Sequence, residues 1–224
     1  MLTVVTWKWF GWRQNLYSPR HVVAMQQMLQ EHLHIPHKFV CVTDDPSGLD
    51  CDTYPLWDYP NINTGVGRPN SYRRLRMFSE EARSMFGPKV LSIDLDAVIL
   101  RDITSLITND DLRLVAGKAA PYNGSMILHN TGTRLELWNE FNKNSPDLVR
   151  THERKSQAWI SYKCPGEPTW GAEHGVRHYT LLTDGKVPDD TRIIFCAGSV
   201  KPWSPSMQLR FPEIYQEYAK YLPR

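Results

Sequence analysis

Two acids stand two positions apart at the end of an apolar run in "KVLSIDLDAVILRDITSL" (Lys89 to Leu106): Asp94 and Asp96. On an extended strand, residues two apart share a face, so both carboxylates can converge on one cation or one substrate group. Hard divalent ions such as Mg²⁺ and Mn²⁺ favour such oxygen ligands and bridge diphosphates well. The same spacing also suits strand-end acids that are solvated or bonded to a loop. Upstream of these acids, "YRRLRMF" offers Arg73, Arg74 and Arg76, whose planar forks suit phosphate oxygens or else form a solvated helix face. In "YNGSMILHN", Gly124 would let the backbone approach a sugar closely. Asn123 beside it would give hydroxyls both a donor and an acceptor, unless the pair is a plain turn. Lys201 in "FCAGSVKPW" is a point charge that suits a diphosphate leaving group, with Gly198 leaving room for the backbone, or it is a loop lysine facing water.

Elements of alternating type must hold these residues. Leu2 to Trp7 reads as a strand. Ser18 then stands as N-cap and Pro19 at the first helical position, followed by Val22, Met25, Met28, Leu29 and Leu33 on one helical face. Lys38 to Thr43 is a second strand. After a loop rich in Asp, Pro, Asn and Gly, Asn70 caps a helix with the stripe Leu75, Phe78, Ala82 and Met85, stopped at Gly87-Pro88. The third strand carries the acids. Strands at Leu112 to Gly117, Ser125 to His129 and "TRIIF" follow, with helices near Thr133 to Phe141 and Pro212 to Leu222. The alternation predicts an α/β fold, a single domain with a mostly parallel central sheet flanked by helices, whose ligands bind beyond the carboxyl ends of the strands.

Composition bounds the rest. The 224 residues, 41% of them hydrophobic, suffice for one sizeable core. With 26 Lys+Arg against 24 Asp+Glu, no strong field draws nucleic acid or an anionic membrane, so no nucleic-acid partner is expected. Cys41, Cys51, Cys164 and Cys196 have no CxxC spacing and suit free thiols in a reducing, cytoplasmic setting. The opening "MLTVVTWKWF" lacks the marks of a signal peptide, and no run approaches the ~18 apolar residues of a membrane span.

Taken together, "VLSIDLDAVILRDITSL", "YRRLRMF", "YNGSMILHNTG" and "FCAGSVKPW" resemble, in order and spacing, segments of glycosyltransferase family eight. The resemblance covers most of the chain. It implies the A-type glycosyltransferase fold, that of the nucleotide-diphospho-sugar transferases, over residues 1–224. Residues 1–117 would form the nucleotide-binding half and 118–224 the acceptor-side half. It implies transfer from a nucleotide-sugar, a UDP-sugar above all, to a carbohydrate or glycoconjugate acceptor, with retention of anomeric configuration. By the same resemblance Asp94, Asp96, Asn123 and Gln157 are catalytic. Thr6, Tyr17, Arg74, Leu95, Gly124, Gly198 and Lys201 bind the donor, Tyr17 by stacking on the base. The implied cofactor is a divalent cation, Mn²⁺ or Mg²⁺, on Asp94 and Asp96.

Two positions depart from the family pattern. In "KSQAW", Gln157 is kept but Ser156 stands where the family has an acid, and Phe195 stands where the family's HxxGxxKPW opens with its third metal ligand. His174 or His178 in "GAEHGVRHY" would be alternative sources of the missing nitrogen. Two other readings compete. "IDLDAV" also fits the haloacid-dehalogenase pattern DxDx[TV], with Asp94 as nucleophile, although that family opens on this strand, whereas residues 1–93 precede it here. The two departures also suit a sugar- or nucleotide-binding protein descended from a transferase.

Overall fold

The apolar runs assemble into a seven-stranded sheet of order β3-β2-β1-β4-β7-β6-β8. A computed structural model describes residues 1–10, 17–57, 71–118, 121–151, 156–183, 185–196 and 198–223, with backbone alone at 144–151. The strands are β1 (Leu2–Lys8), β2 (His37–Thr43), β3 (Asp52–Pro55), β4 (Lys89–Ile93), β6 (Leu112–Ala116), β7 (Tyr122–Asn130) and β8 (Thr169–Trp170). All neighbours are parallel except the two pairs that β7 makes. A smaller sheet of β5 (Ala97–Ile99), β10 (Ile193–Phe195) and β9 (Val176–His178) stands beside it, with β10 antiparallel to β5 and parallel to β9.

Both faces of the large sheet are covered, so its central strands β1 and β4 are buried on both sides and mostly apolar, with buried polar exceptions such as Thr3, Thr6 and Ser92. Val4, Leu91, Ile93 and Leu128 face one cluster with Met25, Met28 and Leu29 of α1 (Pro19–His32). Burying each of these α1 side chains stabilises the fold by about 2 kcal/mol. Val5, Trp7, Val90 and Ile127 face a second cluster that includes Leu75 and Phe78 together with Leu137 and Phe141 of α3 (Glu136–Thr151) and Trp159 of α4 (Ser156–Lys163). The chain closes with α5 (Pro205–Arg210) and α6 (Pro212–Ala219) against the first cluster. The architecture is the expected one: α/β, a single domain, a mostly parallel central sheet flanked by helices.

Local differences have local causes. The helix expected from Asn70 to Phe86 is a 3₁₀ helix over Ser71–Phe78 and then a short α2 (Ala82–Phe86), while Asn70 itself lies outside the described residues. Tyr72, Leu75 and Phe78 are all fully buried, and their spacing of three is the period at which 3₁₀ side chains eclipse on one face. Ser18 caps α1 as expected, and the ring of His21 accepts from the Ser18 N–H at 2.8 Å. The strand expected at "TRIIF" is β10, whereas β3, β8, β9 and α5 carry no clear sequence signal because each is short.

Candidate active site

The two acids are not on a strand. β4 ends at Ile93, and Asp94, Leu95 and Asp96 form a turn, closed by the Ala97 N–H on the Asp94 carbonyl at 3.2 Å, that hands the chain from the large sheet to the small one. The shared-face geometry of a strand therefore does not apply, and the carboxylates reach different partners. Their position is still the one the fold class reserves for ligands, beyond the carboxyl ends of β1 and β4. Because β7 runs the other way, its first residues arrive at the same edge.

One side of the turn is built around Arg74. Its Nη1 lies 2.5 Å from Asp94 Oδ1, an ion pair in which the charges touch without the in-line geometry of a hydrogen bond. Nη1 also donates to the Gly124 carbonyl at 3.3 Å, and the guanidinium lies 5.9 and 5.6 Å from the ring centroids of Trp7 and Trp9. A bulge in β7 brings Gly124 there. Leu114 pairs with Ile127 but the next residue, Val115, pairs with Asn123, so residues 124–126 are extruded from the β6 ladder. Within that bulge the Ser125 carbonyl accepts from the Asp94 N–H at 2.9 Å, and the Gly124 N–H donates to Gln157 Oε1 at 3.4 Å from α4. The pKa of Asp94 is shifted upward: burial raises it, Arg74 pulls it down, and Asp96 pushes it up again.

The other side is built around Lys201. Its Nζ lies 2.5 Å from Asp96 Oδ2 and donates to the Tyr17 hydroxyl at 2.9 Å, while that hydroxyl donates to the same carboxylate oxygen at 3.0 Å. Asp96 and Lys201 are only 4% and 6% exposed. Tyr17 stands at the head of α1, edge-on to Trp203 at 5.8 Å, and its phenol is held far above its ordinary pKa by burial and by Asp96. The Ser204 hydroxyl donates to the Lys201 carbonyl at 2.8 Å and so fixes the lysine's backbone.

Seven of the expected site residues thus meet: Tyr17, Arg74, Asp94, Asp96, Gly124, Gln157 and Lys201. Asn123 joins them with its carbonyl oxygen already committed to the Ser125 N–H at 2.8 Å. Gly198 adopts φ +62, which favours glycine, in the loop that carries Lys201. Thr6 and Leu95 do not reach the site with their side chains. The Thr6 hydroxyl is fully buried and donates to the Ile93 carbonyl at 3.2 Å, and Leu95 lies in the core at 2% exposure. The sequence reading assigned no role to Trp7, Trp9, Ser125 and Trp203, although Ser125 and Trp203 lie in the motifs "YNGSMILHNTG" and "FCAGSVKPW".

The donor set for a divalent ion is incomplete. Asp94 touches Arg74, Asp96 touches Lys201, and the second oxygen of Asp96 is enclosed without a partner. Phe195 is a core residue at 1% exposure. His174 is engaged elsewhere, accepting from the Gly171 N–H at 3.2 Å, and the Nδ1 of His178 is held by Thr180. Among the described residues no group of three or more His, Cys, Asp and Glu side chains is placed to hold a metal. The residues present do not fit a resident ion with a protein-built shell.

No family model and no curated protein matches the chain. Solved structures do. The galactosyltransferase LgtC, in complex with donor and acceptor sugar analogs, superposes with a TM-score of 0.65 at 15% identity, covering 99% of this chain and 96% of that one. An active-site mutant of LgtC gives 0.67 at 14%, over the same shares. The glycosyltransferase GlyE of Streptococcus pneumoniae TIGR4 gives 0.65 at 12%, covering 99% of this chain and 63% of that one. Along nearly its whole length, the chain is therefore folded as these glycosyltransferases are.

Proposed function

We propose that the protein is a nucleotide-sugar-dependent glycosyltransferase that moves a sugar from a UDP-sugar to a carbohydrate or glycoconjugate acceptor with retention at the anomeric carbon. The observation that carries this reading is the turn at Asp94–Asp96, where a half-buried and a buried acid each hold a cation at the ligand-binding edge of a fold shared with glycosyltransferases. In the reaction the C1–O bond to the diphosphate breaks and the diphosphate keeps the electron pair. Charge grows on the phosphate oxygens, and fixed donors stabilise it. The ammonium of Lys201 has three N–H groups, of which Asp96 and Tyr17 take two, leaving one for a phosphate oxygen. Arg74, oriented by Asp94 and the Gly124 carbonyl, supplies the second positive charge. Gln157 accepts from Gly124 with its oxygen and keeps its amide N–H groups for sugar hydroxyls. The acceptor hydroxyl oxygen bonds to C1 on the face that the diphosphate leaves, and its proton passes to the leaving phosphate, so no protein nucleophile is needed. With Arg74 in contact with Asp94, that carboxylate is not free to attack a phosphate ester, which disfavours the phosphatase reading.

The test is release of UDP from UDP-glucose, UDP-galactose and UDP-N-acetylglucosamine, with and without simple sugar acceptors. Asp94→Asn removes the charge that orients Arg74 and is expected to slow release about a hundredfold or more. UDP-sugar binding without any turnover would favour the binding-protein reading, and absence of both binding and turnover would sink the transferase reading.

A further inference from the structure

We propose that Lys201 and Arg74 are resident cations that take the place of a divalent ion in this site, so that donor binding does not require metal. The inference rests on the transferase reading above and concerns how the same site handles the diphosphate.

Three independent features carry it. First, each acid of the turn already has a cation, Arg74 Nη1 at 2.5 Å from Asp94 and Lys201 Nζ at 2.5 Å from Asp96. A metal on Asp96 Oδ2 would have to displace an ammonium from a pair whose two side chains are more than nine-tenths buried, and breaking such a pair leaves an uncompensated buried charge, so only the enclosed Oδ1 of Asp96 is left to an incoming ion. Second, the position where the family pattern has a third ligand holds Phe195, on the central strand of the small sheet and packed in the core. Divalent transition ions gain much of their preference from an imidazole, and none is delivered there. His178 stands opposite Phe195 in the β9–β10 register; its Nδ1 is engaged by the Thr180 hydroxyl at 2.7 Å, so Nε2 is the one nitrogen it could offer an ion, which His178→Ala tests.

Third, both cations are fastened as a ligand-binding group has to be. Lys201 is held by Tyr17 at its tip and by Ser204 at its backbone, and Arg74 is held by the Gly124 carbonyl with its guanidinium 5.9 and 5.6 Å from the ring centroids of Trp7 and Trp9. A lysine or arginine fixed in this way meets a diphosphate with no reorganisation, which is what makes electrostatic stabilisation effective in a water-poor site. The acids then serve to aim the cations rather than to ligate an ion.

The experiment is calorimetric titration of the full chain with UDP, GDP, CDP and ADP, in excess chelator and again with Mn²⁺ or Mg²⁺. The expected result is that the preferred diphosphate binds in chelator and that added metal changes its Kd by less than about threefold. Lys201→Ala should bind it about tenfold or more weaker in chelator, and Mn²⁺ should recover part of the loss, because Asp96 is now free to take an ion. Lys201→Arg keeps the charge and should stay metal-independent, and urea unfolding of each variant separates lost binding from lost folding. Binding of the diphosphate that appears only with metal would overturn the inference and leave the transferase reading standing. Tight Mn²⁺ binding without nucleotide, abolished in His178→Ala, would overturn it too by naming a third ligand. No binding of any diphosphate under any condition would overturn both.

Discussion

His129 shows at the scale of one residue how burial writes a pH dependence into the fold. It sits on β7 with no exposed surface, 4.6 Å from the Phe78 ring, and neither of its ring nitrogens has a hydrogen-bond partner. Burial lowers its pKa to about 4, against an unfolded value near 6.5. The unfolded chain therefore takes up this proton first as the pH falls. The stability linked to His129 is complete above about pH 6.5 and is lost progressively down to about pH 4, a change of about 3 kcal/mol. Urea unfolding at a series of pH values should show this slope. His129→Leu should flatten it without lowering stability at pH 4, since it replaces an unpaired buried polar ring with an apolar side chain. A smaller slope should remain from His21, which is also lowered to about 4 by burial. An unchanged slope in the variant would mean that His129 finds a partner when charged.

The element that shapes the site is the bulge of β7. A regular strand would keep residues 124–126 in the ladder with β6, whereas the extruded segment gives its Gly124 carbonyl to Arg74, its Gly124 N–H to Gln157 and its Ser125 carbonyl to Asp94. Bulges near active sites commonly re-aim backbone groups in this way. A Cβ added at Gly124 would stand 3.8 Å from Gln157 Cβ, an ordinary contact. Gly124→Ala should therefore change stability by less than about 1 kcal/mol in urea unfolding. On the proposed transferase reading the same methyl fills the space where the backbone approaches the donor sugar, and kcat/KM for the UDP-sugar should drop about tenfold. Equal turnover in the variant would show that the bulge does not border the donor.

Across the whole molecule, the segment after β10 returns to the first crossover and closes the site. Trp203 stacks on His21 of α1 at 3.8 Å, stands edge-on to Tyr17, and packs against Tyr218 of α6 at 5.4 Å, tying the lysine loop to the start and the end of the chain. Trp203→Ala should cost about 3 kcal/mol of stability and also weaken UDP binding by loosening Lys201, whereas Trp203→Phe should retain most of both. If UDP affinity held in the alanine variant, the lysine would be fixed by Tyr17 and Ser204 alone. The amino-acid sequence by itself determined the fold class and named most of the residues that the fold brings together around the turn. Apolar runs broken by caps and glycines are a local signal that needs no partner to be read, and Asp94, Asp96, Arg74, Gly124, Gln157 and Lys201 lay in motifs. Only the tertiary structure decided what the acids face. The turn at Asp94–Asp96, the bulge at Gly124 and the burial of Thr6, Leu95 and Phe195 depend on pairing between strands far apart in the chain, and local periodicity does not record that pairing. Whether a carboxylate meets a metal, a lysine or water follows from which distant segment arrives beside it; here Arg74 and Lys201, 20 residues before Asp94 and 105 after Asp96, arrive first.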